Sequence, residues 1–392
     1  MTFDPRAITA NWNYPTKMIV GPGRIARLAD ACRSLGMKRP LLVTDPGIAA
    51  LPMVRGALDA NEAAGLPTGL FSDVKGNPIG RNVDDGVRAW REGGHDGIVA
   101  FGGGSGIDAA KAVALMAGQD RPLWDFEDVG DNWKRVREEG VAPIVAVPTT
   151  AGTGSEVGRA SVITNEQTHE KKIIFHPKML PGVVISDPEL TVGLPPHVTA
   201  ATGIDAFVHC FEAYCAPSYH PMAEGIALEG MRLIKEFLPR AWRDGTDIEA
   251  RGQMLVAASM GATAFQKGLG AVHSIAHAVG ALYDTHHGLT NAVLLPYVMQ
   301  HNRSAIENRM DLLCRVLGLE PGGGYAAVLD WVLTFRQELG IPETLRDIGV
   351  PEDRAGEIGP LAESDPSTGG NPLPMDAAAM RSVFLNAVEG RL

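Results

Sequence analysis

The fold class of this 392-residue chain is decided by the stretch GIVAFGGGSGIDAAKAVALMAG (97–118). A short apolar run rich in β-forming residues leads into three consecutive glycines, and an alanine-rich segment with helical spacing follows. This order predicts a buried strand, a tight glycine turn and a helix, as in a βαβ unit. The G-x-G-x-x-G dinucleotide fingerprint is absent, because Ile107 stands where its last glycine would be.

Similar apolar runs recur along the first half of the chain and alternate with amphipathic helical segments such as VDDGVRAWREGG (83–94). The further runs are PLLVTD (40–45), APIVAVPTT (142–150) and GVVISDPEL (182–190). This alternation predicts a Rossmann-like α/β domain with a parallel sheet over residues 1–190. After VGLPP (192–196) strand-like runs disappear, so residues 191–392 are predicted to form an all-helical domain.

The composition limits which classes of partner the protein is expected to bind and where it is expected to be found. The formal net charge is -11 and no run of Lys or Arg occurs, so nucleic acid and anionic membranes are poor candidates. The four cysteines are scattered without a disulfide or zinc-finger spacing. MTFDPRAITANW (1–12) lacks the apolar region of a signal peptide, and no apolar run reaches the length of a membrane span. These features predict a cytoplasmic protein.

Three predicted strand ends carry residues suited to binding a nucleotide. In FGGGSGID (101–108) the backbone N–H groups of a glycine turn at a helix start can hold a phosphate. PTTAGTGSE (148–156) supplies hydroxyl groups at the next strand end, and Asp45 closes an earlier strand, where an acid can bind a ribose and repel a 2′-phosphate. The alternative is purely structural, with glycines serving a tight turn and Asp45 starting one.

A second cluster lies in the helical half. GAVHSIAHAVGALYDTHHG (270–288) holds four histidines in an apolar segment, and His273 and His277 are four residues apart. Asp205 and His209 repeat that spacing on another predicted helix, so each pair shares a helix face. A carboxylate with imidazoles on facing helices predicts a site for zinc or ferrous iron. Buried core histidines are the alternative, and spacing does not decide which of His286 and His287 points inward.

Four segments closely resemble signature segments of the iron-containing, or group III, alcohol dehydrogenases: FGGGSGIDAAKA, VPTTAGTGSEV, ATGIDAFVHCFEAY and AVHSIAHAVGALYDTHHGLTNAVLLP. The similarity extends from MIVGPGRIARL (18–28) to the Asn-Pro pair at 371–372. The resemblance implies the dehydroquinate synthase-like fold, with an α/β domain followed by a helical one. It also implies four metal ligands, Asp205, His209, His273 and His287, with iron preferred over zinc. His277 then corresponds to a proton relay beside the nicotinamide.

The resemblance also implies how a cofactor is held. The pyrophosphate site corresponds to Gly102, Gly103, Gly104, Ser105 and Asp108, and the nicotinamide end to Thr149, Thr150, Thr153 and Ser155. Lys171 lies where the family places a cofactor-contacting lysine, and Asp45 matches an acid that disfavours NADP. NAD is therefore the expected cofactor.

The expected reaction is NAD-linked hydride transfer between a small alcohol (a primary alcohol, diol or hydroxy acid) and its aldehyde or ketone. Phe265 and Lys267 lie in a segment that borders the substrate pocket in the family, and the Lys267 ammonium could hold the carboxylate of an ω-hydroxy acid. The alternative for Lys267 is a surface lysine. A homodimer or larger homo-oligomer is expected from the resemblance.

Other enzymes remain as alternatives. A dehydroquinate synthase-like or glycerol dehydrogenase-like enzyme would share the NAD and metal sites, but GGGS in the glycine loop and a fourth metal ligand that is a histidine argue against both. A metallohydrolase would not need the three strand-end features.

Overall fold

The structure, a computed structural model, describes residues 16–168 and 170–392. The segment MTFDPRAITANW, from which the absence of a signal peptide is predicted, lies outside the described residues. Within the described part the strands are β1 (Lys17–Val20), β2 (Pro40–Val43), β3 (Gly69–Phe71), β4 (Gly97–Gly102), β5 (Ile144–Pro148), β6 (Ala160–Asn165), β7 (Glu170–Phe175) and β8 (Val183–Ser186).

Six of these strands form one sheet in the order β1-β8-β5-β4-β2-β3. Every neighbouring pair in this sheet is parallel. All residues of β2, β4, β5 and β8 are buried, as expected where helices cover both faces of a parallel sheet. The predicted α/β class is therefore confirmed, together with the four strands that the apolar runs indicated.

Alternate residues of the central strands build the core on one face of the sheet. Val99 and Phe101 of β4 pack with Val145 of β5 and Leu42 of β2 in one buried cluster. The period of two places these side chains on the same face. Leu28 from the first helix belongs to the same cluster, so burial of apolar area joins sheet and helix.

Two edge strands and one hairpin were not predicted. β1 and β3 are only four and three residues long and are partly exposed, so neither stands out as an apolar run. β6 and β7 pair antiparallel outside the main sheet.

The helices within the described residues are α1 (Leu28–Ser34), α2 (Pro46–Ala49), α3 (Pro52–Ala63), α4 (Gly80–Glu92), α5 (Gly104–Met116), α6 (Pro196–Cys215), α7 (Pro221–Arg243), α8 (Ile248–Ala264), α9 (Ala271–Tyr283), α10 (His287–Val316), α11 (Gly324–Glu338), α12 (Ala355–Ser364) and α13 (Ala377–Glu389). In the described part no strand follows Ser186, so the predicted change to an all-helical half is confirmed. None of these helices combines the length and apolar character needed to cross a bilayer.

The chain divides into two compact units. Among the described residues, one comprises 16–194 with 246–255, and the other comprises 195–245 with 256–392. The sequence predicted a single boundary near residue 190, whereas 246–255 also groups with the α/β unit. One contact that attaches this segment is the buried Arg251, whose guanidinium donates a hydrogen bond to the Leu194 carbonyl at 3.4 Å.

Candidate active site

Helix α6 carries a buried polar face. Asp205, His209 and Glu212 follow one another at intervals of four and three residues, which places them on the same side of the helix. Their exposed fractions are 1%, 4% and 6%. Buried charged groups are costly unless they have partners, so this face must be matched by polar groups from elsewhere.

Backbone N–H groups at the start of α9 supply some of the polar partners of this buried face. The first N–H groups of a helix have no partner within the helix. Here the Ala271 N–H donates to Asn371 Oδ1 at 3.1 Å, and the Val272 N–H donates to Glu212 Oε1 at 2.8 Å. A Cβ at Gly270 would lie 2.9 Å from Asn371 Oδ1 and 3.0 Å from Glu212 Oε1, so a glycine is needed for this close approach.

Three potential metal ligands converge in the helical unit. Ligand atoms of Asp205, His273 and His287 all lie within 4.8 Å of one another. The Asp205 Oδ1 to His287 Nε2 distance is 3.7 Å. One carboxylate oxygen and two imidazole nitrogens form a donor set that suits zinc or ferrous iron.

The amide of Asn291 lies at the centre of this group. Its Nδ2 is 2.7 Å from Asp205 Oδ1, 3.2 Å from His273 Nε2 and 3.1 Å from His287 Nε2. Its buried Oδ1 has no hydrogen-bond partner in the described structure. Three potential ligand atoms therefore surround one amide nitrogen, and an arrangement of one carboxylate oxygen and two imidazole nitrogens around a point also suits a cation.

His209, the fourth predicted ligand, is adjacent to this group but not one of the three. Its ring stacks on that of His273, with centroids 4.6 Å apart and planes at 23°. The Phe265 ring is also close to His209, with ring centroids 5.2 Å apart and planes at 57°. The ligand role of His209 stays a prediction.

Glu212 orients His273. Its Oε2 is 2.6 Å from His273 Nδ1, so Nδ1 donates its proton to the carboxylate, and the neutral ring keeps its lone pair on Nε2. Burial lowers the pKa of His273, but the hydrogen bond and charge of Glu212 raise it, and the net pKa lies above the ordinary value. Glu212 was missed in the sequence, because its partner is distant along the chain.

His277 has a carboxylate partner of its own. Its Nδ1 is 2.9 Å from Asp365 Oδ2, and both side chains are about nine-tenths buried. The His277 ring stacks on His287, with centroids 5.2 Å apart and planes at 17°. The predicted relay histidine therefore lies against the three converging groups without belonging to them.

The start of α10 separates the roles of two neighbouring histidines. His286 is exposed and precedes the helix, where its Nδ1 accepts a hydrogen bond from the Leu289 N–H at 3.3 Å. His287 is the one that joins Asp205 and His273. A Cβ at Gly288 would lie 2.6 Å from the Ala201 carbonyl oxygen, so this glycine allows α10 to approach α6.

The environment of Lys267 agrees with neither sequence-based interpretation, a lysine that binds a substrate carboxylate or a surface lysine. Its side chain is fully buried, so it is not a surface lysine. Nζ lies 2.9 Å from Glu224 Oε1 and donates to the carbonyl oxygens of Tyr214 at 3.1 Å and Ala216 at 2.7 Å. An ammonium has three N–H donors, and these three acceptors use them, so the structure argues against Lys267 as the holder of a substrate carboxylate.

In the α/β unit, three predicted cofactor segments follow the neighbouring strands β2, β4 and β5. Gly102 ends β4 with φ at 150°, a conformation that side chains disfavour. A Cβ there would lie 3.5 Å from Thr44 Oγ1 and 3.9 Å from Asp45 Oδ2. The chain continues from β2 to β3 on one side and from β4 to β5 on the other, which is a switch point where open α/β sheets bind ligands.

The glycine turn is also packed against the hydroxyl segment after β5. A Cβ at Gly103 would lie 3.2 Å from Thr150 Oγ1, and one at Gly104 would lie 2.6 Å from Thr153 Oγ1. The Thr149 N–H donates to the Gly102 carbonyl at 2.9 Å. The buried Thr149 hydroxyl has no hydrogen-bond partner in the described residues.

Asp108 and Ser155, two of the predicted cofactor-binding residues, contact each other. The Ser155 hydroxyl donates a short hydrogen bond to Asp108 Oδ1, and the Val162 N–H donates to Asp108 Oδ2 at 3.0 Å. The buried Lys111 ammonium is 3.4 Å from Asp108 Oδ1 and donates to the Ser155 carbonyl at 2.9 Å. Burial lowers the pKa of Lys111 below its ordinary value, although Asp108 opposes the shift. Asp108 therefore holds the surrounding loops together.

The remaining predicted cofactor residues have local partners. Asp45 caps α2, since its Oδ1 accepts from the Ile48 N–H at 2.9 Å. Lys171 donates to Asn77 Oδ1 at 3.0 Å, and the Ser105 hydroxyl donates to the Gly76 carbonyl. The turn role of Asp45 thus coexists with its place at the switch point.

Comparison with known proteins gives consistent matches over most of the chain. A family model described as iron-containing alcohol dehydrogenase matches residues 15–188. A second, described as the C-terminal part of the Fe-containing alcohol dehydrogenase family, matches residues 199–388.

Individual relatives cover almost the full length. The chain is 40% identical to a 4-hydroxybutyrate dehydrogenase of Cupriavidus necator, with 95% of this chain and 98% of the relative covered. It is 33% identical to an NAD-dependent methanol dehydrogenase of Bacillus methanolicus, with 96% and 100% covered. A crystal structure of a 1,3-propanediol oxidoreductase superimposes with a TM-score of 0.91 at 34% identity, covering 96% of this chain and 100% of that one.

Proposed function

The chain belongs to the iron-containing alcohol dehydrogenase family, and on this premise we propose that Asp205, His273 and His287 hold the metal of its active site. The protein is a metal-containing alcohol dehydrogenase that interconverts a small alcohol and its aldehyde or ketone with NAD. The observation that carries the site assignment is the convergence of the three ligand atoms within 4.8 Å.

His209 is proposed as the fourth ligand, since its ring stacks on His273 beside the group. Iron is the preferred ion, with zinc as the alternative, because both accept mixed imidazole and carboxylate ligands. When bound, such a divalent cation supplies Lewis acidity to a hydroxyl or carbonyl oxygen. Elemental analysis of protein refolded with each ion separately, followed by activity measurements, distinguishes iron from zinc.

His277 is proposed to receive the hydroxyl proton during alcohol oxidation and return it during carbonyl reduction. An imidazole exchanges protons near neutral pH. The ring lies against His287 but is tied to Asp365 rather than to the three converging groups, which supports a role separate from metal binding.

We propose that the α/β domain predicted over residues 1–190 binds NAD, and that residues 191–392 carry the metal and catalysis. Support comes from the glycine turn beside Thr150 and Thr153, from the buried Thr149 hydroxyl, which has no hydrogen-bond partner in the described part of the chain, and from Asp45 at the switch point. Replacing Asp45 by Ser removes a negative charge that would face a 2′-phosphate. We expect Asp45→Ser to shift the ratio of kcat/KM for NADP over NAD by about tenfold, or ~1.4 kcal/mol. An unchanged ratio would contradict the role of Asp45.

The proposed substrate class is small molecules with a terminal primary hydroxyl. The compounds in the names of the three relatives above, 4-hydroxybutyrate, methanol and 1,3-propanediol, share this group. Because the Lys267 ammonium is engaged by Glu224 and two carbonyls, a carboxylate tail would have to be held elsewhere. Comparing 4-hydroxybutyrate with butan-1-ol in wild type and Lys267→Met tests this. We expect the preference between the two substrates to be unchanged.

The central experiment measures NADH formation from these alcohols before and after metal removal. We expect activity in the metal-loaded enzyme, its loss after chelation and its recovery on adding iron or zinc. Activity that survives complete removal of metal would refute the site assignment.

We further propose that the protein works as a homodimer or larger homo-oligomer in the cytoplasm. The family resemblance supports the assembly, and the four cysteines, all free and buried in the described structure, suit a reducing compartment. Analytical ultracentrifugation and cell fractionation test the two statements separately.

A further inference from the structure

We propose that Asp365 is a positioning residue that fixes the tautomer of His277, so that His277 Nε2 presents a lone pair to the hydroxyl proton of the alcohol. The proposal rests on the function proposed above. Asp365 lies in the tract ESDPSTGGNPLP (363–374), whose Gly, Pro and Ser content is typical of a loop.

The carboxylate of Asp365 accepts two hydrogen bonds, one on each oxygen. It lies between α12 and a short 3-10 helix, Pro366–Gly370, where its Oδ1 accepts from the Ser367 N–H at 2.8 Å. Its Oδ2 is 2.9 Å from His277 Nδ1. Each oxygen therefore serves one donor, and the two donors come from positions far apart in the chain.

The segment that carries Asp365 is anchored along α9. Asn371 accepts from the Ala271 N–H at the first residue of α9. The Thr368 hydroxyl donates to Ser274 Oγ at 2.7 Å, one residue after His273. These contacts hold the carboxylate next to the turn of α9 that carries His277.

An ionised carboxylate only accepts hydrogen bonds, so His277 Nδ1 must be the donor. The neutral ring then carries its proton on Nδ1 and a lone pair on Nε2. Burial alone would raise the pKa of Asp365, but the positive charge of protonated His277, the hydrogen bond from His277 and the bonds from Ser367 lower it below its ordinary value. The ionised form is thus the one present near neutral pH.

In alcohol oxidation the C–H bond breaks with transfer of hydride to NAD, the C=O double bond forms and the O–H proton is released. With its lone pair held on Nε2, His277 can take that proton and pass it to solvent. The opposite tautomer would present an N–H to the hydroxyl and could not accept the proton. Carbonyl reduction uses the same groups in reverse.

The variant Asp365→Asn tests this sharply, because an amide has one acceptor oxygen for two donors. The Ser367 backbone N–H cannot change its role, whereas imidazole can change its tautomer. We therefore expect the Asn oxygen to stay on Ser367 and the Asn NH₂ to face His277 Nδ1, which drives the ring proton to Nε2. Asp365→Ala removes the partner without forcing the wrong tautomer.

The experiment combines NMR and kinetics on zinc-loaded enzyme. In ¹⁵N-histidine-labelled protein, with His277→Gln used for assignment, we expect protonated Nδ1 in the wild type and protonated Nε2 in Asp365→Asn. General acid–base catalysis contributes about 10²–10⁴-fold, so kcat of Asp365→Asn should fall within that range. We expect the zinc content and the KM for NAD to stay unchanged, and kcat to decrease in the order wild type, Ala, Asn.

The order of the kcat values of wild type, Asp365→Ala and Asp365→Asn is the decisive result. If Asp365 only held the local fold, Ala would damage kcat at least as much as Asn. Asp376→Asn is a control, since Asp376 caps α13 through the Ala379 N–H at 2.8 Å and has no histidine partner among the described residues. It should leave kcat unchanged.

Protonated Nε2 in the wild type, or an Asn variant with the switched tautomer and full kcat, would overturn the proposal. A wild-type enzyme that oxidises no alcohol would overturn the proposed function and the role of His277 as proton acceptor with it. The wild-type NMR spectrum would then still report whether Asp365 sets the tautomer, so the two failures are distinguishable.

Discussion

Replacing Glu212 by Gln should weaken metal binding through His273. Glu212 uses both carboxylate oxygens, one for the Val272 N–H at 2.8 Å and one for His273 Nδ1 at 2.6 Å. A glutamine offers one oxygen and one NH₂ group to the same two donors. In one orientation the NH₂ faces Nδ1 and shifts the ring proton to Nε2, the nitrogen that lies 3.2 Å from Asn291 Nδ2 in the converging group.

The expected losses of metal affinity and of folding free energy follow from these two contacts. Loss of a carboxylate that orients a ligating histidine costs about 10–100-fold in metal affinity, or roughly 1.4–2.7 kcal/mol. In the other orientation the NH₂ faces the buried Val272 N–H, and leaving that donor without an acceptor costs about 1–3 kcal/mol of folding free energy. Glu212→Gln therefore loses metal affinity, stability or both.

The assay is a zinc titration of metal-free protein against a competing chelator, together with urea unfolding of the same metal-free samples. Glu224→Gln is the control, because Glu224 is another carboxylate of the helical unit, partly rather than fully buried, and it binds Lys267 at 2.9 Å instead of a histidine. It should lose stability and keep its zinc Kd. A zinc Kd for Glu212→Gln within about twofold of wild type, with unchanged stability, would refute the reasoning.

Three further predictions follow from other contacts in the helical unit. His273→Ala should lose bound metal and His277→Ala should retain it, because only His273 belongs to the converging group, and elemental analysis of both purified variants checks this. Gly288→Ala puts a Cβ 2.6 Å from the Ala201 oxygen and 3.0 Å from Asp205 Cβ, so it should cost about 1–3 kcal/mol and reduce zinc affinity. Gly225→Ala on α7, where a Cβ meets nothing within 4 Å, should instead be neutral or stabilising by up to about 1 kcal/mol in urea unfolding. Burial would raise the pKa of Glu224, but its lysine partner lowers it below the ordinary 4.5, so the ion pair stabilises the fold above that pH and loses this contribution as pH falls through the lowered pKa. The stability difference between wild type and Glu224→Gln should therefore be constant from pH 6 to 7 and shrink below about pH 4.5; a difference that grows on acidification would contradict the pKa shift.

The sequence by itself determined the parallel α/β class, the four buried strands and the change to helices near residue 190, because these depend on local hydrophobic period and glycine turns. It also indicated Asp205 and His209, and His273 and His277, as pairs on single helix faces, since a spacing of four is a property of one helix. Edge strands β1 and β3 escaped notice because short, half-exposed strands carry little apolar signal.

Only the tertiary structure decided which groups meet. Glu212 lies 61 residues from His273, and Asp365 lies 88 residues from His277, so no local pattern links either pair. The family resemblance already favoured His287 over His286, but the geometric reason is the way α10 starts against α6. The burial of Lys267 depends on Glu224 from α7 and on the end of α6. The physical reason is the same in each case. A side chain's chemical type is written in the chain, but its hydrogen-bond partner and its exposure to water are set by elements that folding brings together from distant positions.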